Sequence, residues 1–151
     1  MFVFSFYLFY TKKDKHGGGK VSNGSSSILI AKDKEAVWNA IENDEKFSVW
    51  YAPGSKWDIP TFAVGEQAVF TLMPSSYNDL KEGECMPMNF TIKEVIPNQK
   101  FSYYWDSNEM HFTIELCSES SGTRVQFNQD GFEYSLANLK AYLEGKELPY
   151  V

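Results

Sequence analysis

Residues 87–128, PMNFTIKEVIPNQKFSYYWDSNEMHFTIELCSESSGTRVQFN, decide the fold class. Apolar side chains recur at every second position in four consecutive runs: Met88, Phe90 and Ile92; Phe101, Tyr103 and Trp105; Phe112, Ile114 and Leu116; Val125 and Phe127. A period of two belongs to β-strands with one face buried. Pro97-Asn98, Ser107-Asn108 and Ser120-Ser121-Gly122 separate the runs with residues suited to tight turns. Strands joined so briefly pair antiparallel, because a parallel pair needs a long crossover. Just upstream, residues 67–73, QAVFTLM, alternate in the same way and add a strand.

On the C-terminal side the period changes. Phe132, Leu136, Leu139 and Leu143 step by 4, 3 and 4, which places them along one helix face. Asp130 followed three residues later by Glu133 resembles a capping box, and Gly145 is a suitable stop. A helix of about fourteen residues, ~21 Å long, is predicted here. On the N-terminal side, Ser27–Ala31 carries the β-branched Ile28 and Ile30 and reads as a strand. Asp33 then precedes a helix over 34–43 with Ala36, Val37, Ala40 and Ile41 on its inner face. Asp44 is the expected cap of a second short helix carrying Phe47, Trp50 and Tyr51, ended by Pro53-Gly54. The class is α+β.

Composition bounds the function. The chain has 151 residues, 43% hydrophobic and 17% aromatic, which suits one domain with a ring-rich core. Its net charge is −6, so no cationic field exists to hold nucleic acid. Two cysteines, Cys85 and Cys117, match no disulfide framework, and with only His16 and His111 as imidazoles no metal site is expected. This cysteine usage fits a reducing cytoplasm. No phosphate loop or nucleophile elbow occurs, so neither a cofactor nor a catalytic residue is assigned.

The first ten residues, MFVFSFYLFY, carry six aromatics and are followed by Lys12, Lys13 and Lys15. Charge after rather than before the apolar run is the wrong order for a secretory signal. Ten helical residues reach ~15 Å, half of a ~30 Å hydrocarbon layer, so stable membrane insertion is not expected. Residues 16–27 contain eight Gly or Ser in twelve, a linker composition. Residues 1–25 are therefore read as an aromatic leader and linker outside the fold, with a peripheral membrane anchor and an extra edge strand as alternatives. The domain is 26–151. From residue 21 onward ten basic and nineteen acidic residues leave −9, which opposes adsorption to anionic lipid.

The order of elements and several local motifs resemble the SRPBCC (START-like, helix-grip) superfamily, in particular its activator of heat-shock-protein-90 ATPase homologue-like group. The motifs are Ala36-Val37-Trp38, Phe47 to Trp50-Tyr51 with Pro53-Gly54, the Gly65 turn, and Glu94-Val95-Ile96-Pro97 before Phe101-Ser102-Tyr103. Gly122-Thr123-Arg124 and Gly131-Phe132 leading into Leu136–Leu143 complete them, so the likeness spans about 26–148. The resemblance implies a curved antiparallel sheet wrapped around a long C-terminal helix, with two short helices after the first strand. It also implies a cavity between sheet and helix that in many relatives receives an apolar or amphipathic small molecule. Relatives include lipid carriers, hormone receptors, cyclases and chaperone co-factors, so one activity does not follow.

Strand alternation points Phe70, Met73, Met88, Phe90, Tyr103, Trp105 and Phe112 toward the helix stripe of Leu136 and Leu139, and these are the candidate cavity lining. The same residues equally describe a filled core. Trp57 is placed at the rim beside the Pro53-Gly54 loop, Trp50 in packing, and His111 and Glu115 on the outer face. Arg124 is expected in a surface ion pair. The leading expectation is non-catalytic binding of a small hydrophobic ligand by a monomer or weak homodimer. A chaperone-cofactor-like interaction domain is the alternative, and a cyclase or hydrolase the third.

Overall fold

The computed structural model describes residues 24–151. The leader and most of the linker lie outside them. The strands are β1 (Ser26–Ile30), β2 (Lys56–Asp58), β3 (Gln67–Leu72), β4 (Met86–Ile96), β5 (Lys100–Trp105), β6 (His111–Glu119) and β7 (Gly122–Phe127). The helices are α1 (Lys34–Glu42), α2 (Asp44–Tyr51) and α3 (Glu133–Leu143). Seven strands form one antiparallel sheet in the order β1-β7-β6-β5-β4-β3-β2, curled into a half-barrel, so the fold is α+β and helix-grip-like.

The curl has local causes. Between Ile92 and Glu94 the β4–β5 register shifts by one residue, a bulge that bends and twists the strand. At the other side Gly122, at φ 150°, opens β7 where a Cβ would lie 2.0 Å from the Ile30 carbonyl oxygen. No side chain fits there, so this glycine lets the β6–β7 hairpin close onto β1.

Edge strand β2 has its outer amides covered by α2. Ser48 Oγ accepts from the Trp57 N–H at 2.8 Å, and Asp44 Oδ2 from the Ile59 N–H at 2.8 Å. Asp44 is thus not the cap of α2 that its sequence position suggested; Asn43 Oδ1 accepts from Lys46 N–H at 3.0 Å, freeing the aspartate for the sheet edge. Asp33 caps α1 as expected, its Oδ1 accepting from Ala36 N–H at 2.9 Å.

Helix α3 departs from expectation in length and start. It has 11 residues, and Phe132 is its N-cap without a side-chain bond. The Asp130-Glu133 box does not form. Its place is taken by Ser26 Oγ of β1, which accepts from the Phe132 N–H at 3.0 Å and donates to the Gln129 carbonyl at 2.9 Å. A cap supplied from 106 residues away leaves no local signature. At the far end Gly145, at φ 73°, stops the helix, with the Lys146 N–H on the Ala141 carbonyl at 2.8 Å and the Gly145 N–H on that of Tyr142 at 3.2 Å.

Candidate functional site

The concave face of the sheet meets α2 and α3 over an interior dominated by rings. Trp57 lies at its centre. β2–β3 register sets it opposite Phe70, and β3–β4 register sets Phe70 opposite Met88. Its ring centroid is 5.0 Å from Phe47, 5.3 Å from Tyr51, 5.0 Å from Phe70, 5.3 Å from Phe90 and 5.5 Å from Tyr103. The second layer continues through Tyr103 stacked on its cross-strand partner Phe112 at 5.3 Å. Edge-to-face and offset contacts at these separations are favourable aromatic geometries.

Three polar atoms sit inside this apolar shell. The hydroxyls of Tyr51 and Tyr103 meet at 3.1 Å. Trp57 Nε1 is buried and has no hydrogen-bond partner. A buried unpaired donor costs about 1–3 kcal/mol, so this indole is a place in the ring cluster where polar chemistry is left open. Burial raises the pKa of both phenols above the ordinary value of 10.0, and for Tyr103 it outweighs the lowering effect of the bond from Tyr51. Both hydroxyls therefore hold their protons. The pair shares one O–H···O bond, which uses one of its two protons.

A second polar group holds α2 against α3. Carbonyls of the last turn of a helix lack intrahelical partners. Here Ser135 Oγ donates to the Tyr51 carbonyl at 2.6 Å, and Asn138 Nδ2 to that of Trp50 at 3.4 Å. Ser135 and Asn138 are fully buried. Trp50 Nε1 donates to the Ala40 carbonyl at 2.9 Å, joining α2 to α1, so its role is packing, as expected.

Phe70, Met88, Phe90, Tyr103, Phe112, Leu136 and Leu139 are buried in one cluster with Trp57. Two placements differ from the sequence reading. Trp57 is only 1% exposed and stands at the centre instead of a rim, because the short β2 strand turns it under α2. Met73 is 38% exposed, since it follows the last residue of β3 and falls on the outer parity with Thr71. Trp105 is intermediate, at the edge of the cluster, 6.4 Å from Phe90. His111 and Glu115 are exposed, and Arg124 pairs with Glu119 at 2.7 Å, both as the alternation indicated.

The sequence reading placed Phe47 on the second short helix without assigning it to the lining, and it passed over Ser135 and Asn138. Ser135 and Asn138 lie beside Leu136 and Leu139 at a spacing of three, a polar pair next to the apolar stripe, which was the available signal. Two surface clefts lie apart from α3. One of about 710 Å³ is lined by Asp44, Glu45, Lys56, Thr71 and Met73 among others, and one of about 570 Å³ lies where the first turn of α1 meets the β6–β7 hairpin. Among the described residues no group of three His, Cys, Asp or Glu could hold a metal ion, and no helix is long and apolar enough to cross a membrane.

Residues 32–146 match the family model described as Activator of Hsp90 ATPase homolog 1-like protein. The chain belongs to this family, within the SRPBCC superfamily. Similar solved structures include a Staphylococcus saprophyticus protein at 19% identity and TM-score 0.63, covering 84% of this chain and 96% of that one. A Chromobacterium violaceum protein has 18% identity and TM-score 0.62 over 80% and 96%. A protein from Aeromonas hydrophila of the same family name has 20% identity and TM-score 0.59 over 81% and 92%. At these identities the likeness is one of fold. Among curated proteins none matches.

Proposed function

We propose that this family member binds a small apolar or amphipathic molecule between the sheet and α3 without transforming it. The observation that carries the reading is Trp57 Nε1, a buried donor without a partner at the centre of a ring cluster. A planar ligand with one carbonyl, ether or hydroxyl oxygen would satisfy that donor and exchange ring contact for ring contact. Because neighbouring rings already touch, the ligand must enter by displacing side chains, and Met88, with its three rotatable bonds, is the most compliant of them. This favours a ligand of few rings over a lipid. The phenols retain their protons, so near neutrality they offer hydrogen-bond donors to a ligand and not bases.

The exposed, unpaired Cys85 and Cys117 support a reducing, cytoplasmic setting for this activity. We place the protein there as a monomer or weak homodimer. The chaperone-cofactor alternative rests on the family name alone.

The reading is tested with native mass spectrometry of protein purified from cells and with a naphthalene ketone dye whose emission reports an apolar site. A co-purifying small molecule and saturable dye binding are expected. Trp57→Phe should weaken the dye about tenfold, the worth of one buried hydrogen bond of ~1.4 kcal/mol. Protein that carries no small molecule and leaves the dye dark removes the reading and shifts weight to the interaction role.

A further inference from the structure

Tyr51 ends α2 and Tyr103 lies within β5, so their hydroxyls meet only through the packing of helix on sheet. Both residues are fully buried. At 3.1 Å their contact is longer than the usual O–H···O bond of about 2.7–2.8 Å, and either oxygen can be the donor. Neither hydroxyl has a further hydrogen-bond partner among the described residues.

Two hydroxyls hold two protons and four lone pairs. The single bond between them leaves one O–H without an acceptor and the donating oxygen without a donor. Around the pair, Phe47, Phe70 and Phe127 pack on Tyr51, and Phe90 and Phe101 on Tyr103. Their side chains carry no polar atom that could answer either need. A third hydroxyl answers both. Set about 2.8 Å from each oxygen, it accepts the free proton of one phenol and gives its own to the other, closing a ring of three O–H···O bonds. A carbonyl or an ether only accepts, so the donating phenol oxygen still goes without. Because the bond between the tyrosines can run in either direction, the ring closes in either rotational sense. A water that enters the same corner makes the same bonds, and a ligand without a hydroxyl that displaces it loses them.

We propose that the Tyr51–Tyr103 pair is the specificity element of the interior site and selects, among planar ring compounds, those that carry a hydroxyl: phenols and aromatic alcohols. This rests on the reading of the interior as a ligand site and narrows it. Trp57 Nε1 is satisfied by any oxygen acceptor, whereas the phenol pair calls for an oxygen that also donates. Trp57 meets both phenol rings edge-on, at 5.3 and 5.5 Å, so the two elements belong to one ring cluster. Burial keeps both phenols protonated, and the pair offers the same bonds throughout the neutral range.

The test uses the isotope-labelled full chain and three bicyclic ligands of similar shape: β-naphthol, its methyl ether and β-methylnaphthalene. Each is titrated while the indole N–H resonances are followed. The preference for naphthol over its ether should be about tenfold greater in the unaltered protein than in Tyr51→Phe/Tyr103→Phe, the worth of one buried hydrogen bond. Comparing this ratio between proteins cancels the hydration of the ligands themselves. The double substitution removes both members of the bond and strands neither, so the near-ultraviolet circular dichroism of the core should be retained. Methylnaphthalene should bind both proteins equally. Tyr103→Phe alone leaves one hydroxyl, which donates to naphthol and ether alike, so the preference should vanish there too. A ratio unchanged in both variants overturns the proposal and leaves the interior a ligand site. Indole resonances that move with none of the three ligands remove both.

Discussion

Trp57, on strand β2, is surrounded by five rings, three from the sheet and two from α2, and its indole N–H is left without a partner. On the helix side, a few ångströms from Tyr51, Ser135 and Asn138 give the last carbonyls of α2 the bonds their own helix does not supply. Both regions are equally buried. The difference lies in what each element needs for its position: α2 ends inside the protein and must have its carbonyls satisfied, whereas a strand's backbone is already paired and its side chains are chosen for shape. A polar atom left over in the second setting is tolerable, and therefore available for recognition.

The largest effect that sharpens this comparison is expected from Trp57→Ala. Removing the hub of the ring cluster should cost about 3–5 kcal/mol, as for other fully buried large rings, measured as a fall in the urea midpoint. A loss under ~1 kcal/mol would mean that the surrounding rings close the void and that the cluster is far softer than its contacts indicate.

The phenols come next. Folding raises the pKa of Tyr51 and Tyr103 above 10.0, so the folded state keeps protons that the unfolded chain releases in alkali. Their contribution is complete below pH 10 and is lost as pH rises from there toward the folded values. Stability should fall by ~1.4 kcal/mol per pH unit for each phenol above that point, and Tyr103→Phe should remove one phenol's share of the slope. Denaturation series at successive alkaline pH values measure it. An unchanged slope in the variant would show that Tyr103 ionises in the folded protein.

The smallest effect is on the helix side. Ser135→Ala leaves the Tyr51 carbonyl buried without its donor and should cost about 1–3 kcal/mol. Amide exchange resolves it further: α2 should lose protection before the sheet does. If the two elements lose protection together, the bond is not what fastens α2.

The meander was legible because each of β4 to β7 alternates on one face and is bounded by turn residues, so period and punctuation agreed. Helix α3 was legible by its stripe but not by its start, because Ser26 caps it from the opposite end of the chain. Asp44 was misread for a related reason. A carboxylate before a helix has two plausible duties, and the sheet edge at Ile59 claimed it. Of the candidate lining, eight of the ten residues share one buried cluster, while Met73, opposite in parity to Phe70, faces outward just past the end of β3, and Trp105 closes β5 at the edge of the cluster. The Asn138 amide meets the backbone of Tyr150 only because the helix stop at Gly145 sends the chain back.

By itself the sequence determined which residues face inward, since hydrophobic periodicity acts over a few neighbours and is written into them. Tertiary structure alone decided which buried polar atoms find partners, because a hydrogen bond depends on the approach of groups brought together from distant elements. The unsatisfied indole of Trp57 and the paired amide of Asn138 owe their different chemistry to that approach.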